Sequence, residues 1–332
     1  VMNYKKPAFW VGSDFAGFAW YAENLKGWSN KDKNKSVEII PGKTSTVVKL
    51  NVIDRNVKLN GSRKIAFGFH GTPVKKPDIS PRSNRMLREW GWSYITHYFN
   101  YLDGGKEFFD RGYWENQKKR YAEKKATRLF LYIASNGASP YNPEWAYWGK
   151  KWTSRAIGDY IIEYNINDIK ARNKWVWTYS CLNSKSFREF YLWQLNNVLQ
   201  NKEMDIRNLY YDLVGPRMCN NTEHGCGWRD DDGLLWPTQQ ISGSRDFHKR
   251  IMMLTRKILP DCKHLYHVTG QPVIPAVHSF CDGIVEGETS FGQMLPEKEF
   301  EEVVMNLKLP FDRDGVKIAG VGTTTLVVRG RS

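Results

Sequence analysis

"NLYYDLVGPRMCNNTEHGCGWRDDDGLLWP", residues 208–237, begins as a buried strand and continues as a loop that no hydrophobic core requires. The apolar run Leu209-Tyr210-Tyr211 has strand length and ends on a carboxylate, Asp212. Two cysteines, a histidine, an arginine and three consecutive aspartates follow. A strand that ends on an acid and opens into a polar loop is how parallel α/β folds present their chemistry.

Seven more runs of similar texture lie upstream and downstream. Strands are expected at Ile65–His70, Ser93–Phe99, Arg128–Ala134, Trp175–Ser180, Leu209–Leu213, His264–Val268, Gly283–Glu288 and Val316–Val321. Most are followed by helical spacing. "SKSFREFYLWQLNNVLQ" puts Phe187, Tyr191, Leu195 and Val198 on one face, and "SRDFHKRIMMLTRKIL" does so with Phe247, Ile251, Leu254 and Ile258 behind an N-cap at Ser244. Pro296 and Glu297 open a further helix carrying Phe300, Val303, Val304 and Leu307. The short, proline-containing Thr269–Asp282 connection leaves room for only a degenerate helix. Eight strands alternating with helices predict an α/β fold, a (β/α)8 TIM-like barrel over residues 65–332. A doubly wound sheet is the alternative, but neither GxGxxG nor GxxxxGK[ST] occurs. Residues 1–64 read instead as turns and half-buried antiparallel strands, as in "TSTVVKLNVIDRNVKL" (44–59), and predict a small β segment in front of the barrel.

The 332 residues carry a net charge of +14, with lysines scattered rather than gathered into arms, which argues against a nucleic-acid partner. It fits a solvated surface that attracts anionic polymers. No apolar stretch reaches the roughly 18–20 residues of a membrane helix, and the amino terminus does not look like a signal peptide. Aromatics are abundant, with 14 Trp, 17 Tyr and 16 Phe. They suit a large-residue core and, equally, a cleft whose rings stack on sugars.

In a barrel, function sits at the carboxyl ends of the strands. Those ends supply His70 and Thr72, His97 and Asn100, Ser135 and Asn136, Ser180 and Asn183, Asp212, His267 and Thr269, then Glu286 and Glu288. Asp212 faced by Glu288, with Glu286 as the weaker candidate, is the minimal equipment for glycosidic cleavage. One acid protonates the leaving oxygen while the other attacks or activates water. His70, His97, His224, Arg229, Asp230 and His267 are candidates for holding sugar hydroxyls or anionic groups, and Trp145, Trp228 and Trp236 for stacking.

Cys219, His224 and Cys226 could ligate zinc, but no fourth ligand is visible and the spacing matches no standard finger. A Cys219–Cys226 disulfide is the simpler expectation for an exported chain. No metal or other cofactor is therefore expected. Asp230, Asp231 and Asp232 lack EF-hand spacing and are expected to bind hydroxyls, pair with Arg229 or face water.

Together "GFHGTPVKK" (68–76), "NPEWAYW" (142–148), "SFREFYLWQLN" (186–196), "YYDLVGPRMCNNTEHGCGWRDDDG" (210–233) and "VEGETSF" (285–291) resemble bacterial glycoside-hydrolase-like proteins related to glycoside hydrolase family 123. "DFAGFAWYAENLKGWSNKDK" (14–33) resembles the end of the β-sandwich that precedes the barrel in those proteins. The resemblance implies a secreted or periplasmic enzyme acting on polysaccharide or glycoconjugate. Characterised members release N-acetylgalactosamine with adjacent Asp and Glu. Here Asp212 is followed by Leu213, so only fold, strand-end site and reaction class carry over. A non-catalytic glycan-binding barrel, or a metal-dependent hydrolase built on Cys219, His224 and Cys226, are the rival functions. Sugar, linkage, stereochemistry and oligomeric state are not legible.

Overall fold

The structure is a computed structural model that describes residues 7–13, 16–59, 61–74, 93–99, 111–123, 128–138, 143–154, 178–203, 205–212, 214–268, 273–286 and 325–327. Strands β1 (Ala8–Gly12), β2 (Gly17–Tyr21) and β5 (Gly68–Thr72) form an antiparallel sheet with β2 in the middle, and β3 (Val37–Pro41) pairs with β4 (Thr46–Leu50) as a hairpin. The core beneath them gathers Trp20, Ala22, Leu25 and Trp28 and is completed by Trp228 from the distant 214–240 loop, in which β11 (Met218–Cys219) pairs with β14 (Thr238–Gln239) and β12 (Trp228–Arg229) with β13 (Leu235–Trp236).

The second layer is parallel. Strands β6 (Ser93–Phe99), β7 (Arg128–Ala134), β10 (Asn208–Asp212), β15 (His264–His267), β16 (Gly283–Glu286) and β17 (Thr325–Val327) lie side by side in chain order, each parallel to the next. Strands such as Leu209-Tyr210-Tyr211 are buried on both faces, as parallel sheets require once helices cover them. The order of the described strands never reverses, so they lack the switch point of a doubly wound sheet. Among the described residues no pairing joins β6 to β17, so the described sheet has six strands and is not closed.

Helices α1 (Arg111–Glu123), α2 (Pro143–Trp152), α3 (Lys185–Gln200), α4 (Ile241–Ile258) and the single turn α5 (Pro275–His278) are interleaved with these strands. On α3, Phe187, Tyr191, Leu195 and Val198 form the buried face expected from their spacing, and on α4 Phe247 and Ile251 do the same. They pack on Leu131, Ile133, Leu209, Tyr211, Tyr266 and Ile284, all on one face of the sheet. Truncating any of the larger ones to alanine costs about 3–5 kcal/mol.

Three expectations are corrected. The strand expected at Ile65–His70 is Gly68–Thr72, and it extends the antiparallel sheet through β2. Its alternating burial, with Phe69 63% exposed, suits a half-solvated antiparallel strand. Of the strand expected at Trp175–Ser180, β9 (Thr178–Tyr179) pairs antiparallel with β8 (Gly137–Ala138), so β7 neighbours β10 directly. Helix α4 begins at Ile241 rather than behind Ser244, which lies buried in its first turn. The expected strand Val316–Val321 and the helix opened by Pro296 fall outside the described residues.

Candidate functional site at the carboxyl end of the parallel sheet

Strand register decides which side chains meet. Tyr210 lies opposite Tyr132, and Asp212 lies opposite Ala134, while Tyr211 pairs with Tyr266. Because side chains alternate, Tyr132, Tyr210, Asp212 and His267 share the face turned away from the helices. His267 Nδ1 donates to Asp212 Oδ1 at 2.9 Å, and the Tyr132 hydroxyl donates to Asp212 Oδ2. The ring of Tyr210 stacks on His267 with centroids 6.0 Å apart and lies 5.4 Å from Tyr132. A carboxylate with a donor on each oxygen is fixed in rotamer. The half-buried pair keeps 21% of the Asp212 side chain and 12% of the His267 side chain accessible, so this carboxylate can be reached from solvent.

Asp212 and His267 are thus brought together. Tyr132 and Tyr210 were not singled out from sequence. Their signal was the alternation Phe130, Tyr132, Ala134 in "RLFLYIA", which only gains meaning once β7 is known to lie against β10. His97 falls on β6 at a register irregularity between Thr96 and Phe99, a bulge at the carboxyl end of the strand. Glu286 is the last described residue of β16, where the register sets Val285 beside His267. Glu288 lies outside the described residues.

The other candidates are used elsewhere. His70 lies in the antiparallel sheet against the Tyr21 ring, 5.4 Å between centroids, and burial lowers its pKa, with Arg245 adding to the effect. Trp145 packs on the core and edge-on to Trp152 at 6.1 Å, covering Gly149, where a Cβ would stand 2.5 Å from its ring. Trp228 is inside the amino-terminal core, and Trp236 packs beside it while its Nε1 donates to Asp230 at 2.7 Å.

The aspartate run is a latch. Lys33 reaches Asp230 at 2.6 Å and Asp232 at 3.1 Å; Arg55 reaches Asp232 at 3.1 Å; Arg63 reaches Asp231 at 3.1 Å. Ser29 also donates to Asp231. Three carboxylates of the loop thus take cations from the amino-terminal β segment, whereas Arg229 donates to the Gly233 carbonyl.

The cysteines correct the expected disulfide: none of the five is in one. Sulfur atoms of Cys181, Cys219 and Cys226 and a ring nitrogen of His224 instead lie within 4.8 Å of one another. Cys181, 38 residues before Cys219, is the ligand the local spacing could not reveal. Hydrogen bonds from Cys181 and Cys226 hold the Cys219 thiol far below its ordinary range, while burial pushes Cys181 far above it. Cys226 is lowered by its hydrogen bond with Cys181 but, through that with Cys219 and burial, ends at about 12.

No described helix is long and apolar enough to cross a membrane. A described cavity of about 700 Å³ lies between Leu129, Asn208 and Cys262, at the amino ends of the strands and away from Asp212.

No family model matches the chain, and no curated protein matches it. Among solved structures it is similar to an α-amylase from Geobacillus thermoleovorans complexed with acarbose (14% identity, 58% of this chain, 41% of that one, TM-score 0.33). It is also similar to the maltogenic α-amylase AmyB from Thermotoga neapolitana (10% identity, 66% and 41%, TM-score 0.36). A third is the GH36 α-galactosidase AgaA from Geobacillus stearothermophilus in complex with raffinose (12% identity, 58% and 25%, TM-score 0.36). The chain spans less than half the length of each, and likeness at this level does not establish a shared fold.

Proposed function

We propose that the chain is a glycoside hydrolase whose principal catalytic carboxylate is Asp212. The observation that carries this reading is the oriented carboxylate itself: a strand-end acid, reachable from solvent, with Tyr132 and His267 each donating to one oxygen. Cleavage of a glycosidic bond develops positive charge at the anomeric carbon, and a fixed anion in a partly dry site stabilises it. Asp212 would attack that carbon or activate a water beside it, with Glu288 as the general acid that protonates the leaving oxygen. Tyr132 and His267 act by position, keeping the carboxylate aimed as charge develops. The motif resemblance to proteins related to glycoside hydrolase family 123 supports the same reaction class, and the +14 charge favours an anionic glycan.

Product release from a panel of neutral, amino-sugar and sulfated glycans tests the reading. Release from at least one class is expected. Binding of a glycan without any release would replace it with a glycan-binding protein.

A further inference from the structure

We propose that Cys181, Cys219, His224 and Cys226 form a closed, four-coordinate structural zinc site that fastens the 214–240 loop to the body of the protein. This goes beyond the proposed hydrolase function and does not depend on it.

Sulfur lies about 2.3 Å and imidazole nitrogen about 2.0–2.1 Å from zinc, so a tetrahedral ion separates two sulfurs by about 3.8 Å and sulfur from nitrogen by about 3.6 Å. Cys181 and Cys226 sulfurs stand 3.8 Å apart, and Cys219 Sγ lies 3.4 Å from His224 Nε2. A disulfide needs sulfurs about 2.05 Å apart. These two separations match ligands around an ion, and all four ligand atoms lie within 4.8 Å of one another, close enough to gather round one.

The surroundings are prepared for the same purpose. His224 Nδ1 donates to the Lys151 carbonyl at 2.6 Å. A carbonyl only accepts, so this contact takes a proton on Nδ1, and in the neutral ring it leaves Nε2, which faces the Cys219 sulfur, as the atom that would bind the ion. An outer carbonyl that fixes the tautomer of a ligating histidine is the usual second layer of a zinc site. The Asn221 N–H points at Cys219 Sγ at 3.4 Å, and Asn183 Nδ2 at Cys226 Sγ at 3.6 Å. These donors spread the negative charge that three thiolates would leave on a divalent ion.

The chain is bent to bring the ligands round. Asn221 caps the 3-10 turn Thr222–His224 by accepting from Glu223 N, and Gly225 and Gly227 adopt positive φ of 82° and 83°. Asn221 Nδ2 also donates to the carbonyls of Lys150 and Thr153, both at 2.9 Å, at the end of α2. Three buried cysteines and a half-buried histidine saturate a tetrahedral ion, leaving no position for substrate. The site is therefore structural, and a hydrolase that uses this ion as its catalyst is disfavoured.

The test is metal analysis of the protein, purified under reductant without chelator and then reconstituted with zinc alone. One zinc per chain is expected. Cobalt in its place should give a thiolate-to-metal charge-transfer band and the d–d absorption of a tetrahedral ion. Cys181→Ser should lose zinc affinity at least tenfold, whereas His224→Cys, which restores a fourth sulfur, should retain it. If Cys181→Ser fails to fold, thiol titration of the wild type decides the matter: zinc should slow the reaction of three cysteines and chelator should restore it. Sub-stoichiometric zinc after reconstitution, octahedral cobalt spectra, or thiol reactivity indifferent to zinc would overturn the proposal.

Discussion

His267 and Asp212 stand at the ends of adjacent parallel strands, with Nδ1 of one donating to Oδ1 of the other at 2.9 Å. Tyr132 completes the arrangement from the strand on the opposite side. Removing either donor leaves the carboxylate held through one oxygen only, so that its orientation loosens. His267→Gln and Tyr132→Phe should each lower kcat about 10- to 100-fold with little change in KM, and their combination should cost less than the product of the two, because both hold one group. Steady-state kinetics of the four proteins checks this; strictly multiplicative losses would show independent roles.

The aspartate latch should be sensitive to acid. Hydrogen bonds from Ser29 and Arg63 hold Asp231 below its ordinary 3.8; those from Lys33 and Arg55 do so for Asp232. Asp230 is lowered too, by Lys33 and Trp236 against the opposing cost of burial. Groups depressed on folding contribute stability that is present above the unfolded value and disappears as pH falls through the folded one. Below about pH 4 the amino-terminal β segment should therefore exchange its amide protons faster while the parallel sheet stays protected. Exposed pairs contribute little each and are screened by salt, so Arg63→Met should reproduce the effect mildly at neutral pH. Hydrogen exchange with mass spectrometry reads both.

Much of this architecture was legible in advance. Ser93–Phe99 and Arg128–Ala134 are strands with the expected bounds, and the buried faces of α3 and α4 follow the helical spacing of Phe187, Tyr191, Phe247 and Ile251. What local pattern could not supply was pairing. Gly68–Thr72 has strand character whichever sheet takes it, and only its contact with β2 moves His70 away from Asp212. The same limit hid Tyr132 and Cys181, whose partners lie 80 and 45 residues away. Charge was legible as abundance, but the partners of Asp230, Asp231 and Asp232 are cations 197, 168 and 177 residues upstream, which no local spacing announces.

His248 gives a second pH dependence. It is buried against Tyr211 and Tyr266, and its Nδ1 has no partner among the described residues. Burial, with lesser repulsion from His278 and His264, lowers its pKa to about 3 from 6.5. The unfolded chain therefore binds the extra proton first, and stability falls as pH drops below 6.5. By about pH 5 this group alone removes on the order of 2 kcal/mol. Thermal unfolding followed from neutral pH to pH 5 should show a declining midpoint, and His248→Phe should flatten that slope even if it lowers the midpoint overall.

Gly243 marks a close approach between α4 and the turn that carries Cys181. A Cβ there would lie 2.2 Å from the Leu182 carbonyl oxygen and 2.4 Å from Asn183 Oδ1, which accepts from Gly243 N. Gly243→Ala should destabilise the protein by about 2 kcal/mol by pushing the helix off that turn. Urea unfolding checks it; an unchanged midpoint would mean that the helix shifts without cost.

The central claim rests on Asp212, and the most direct measurement pairs turnover with binding in Asp212→Asn. On the glycan that the wild type cleaves, the variant should lose at least about a thousandfold in kcat. Calorimetry should find its affinity for that glycan within a few-fold of the wild type, and its unfolding midpoint should stay close. Turnover that survives the substitution in a folded protein would contradict the account and place the chemistry away from Asp212.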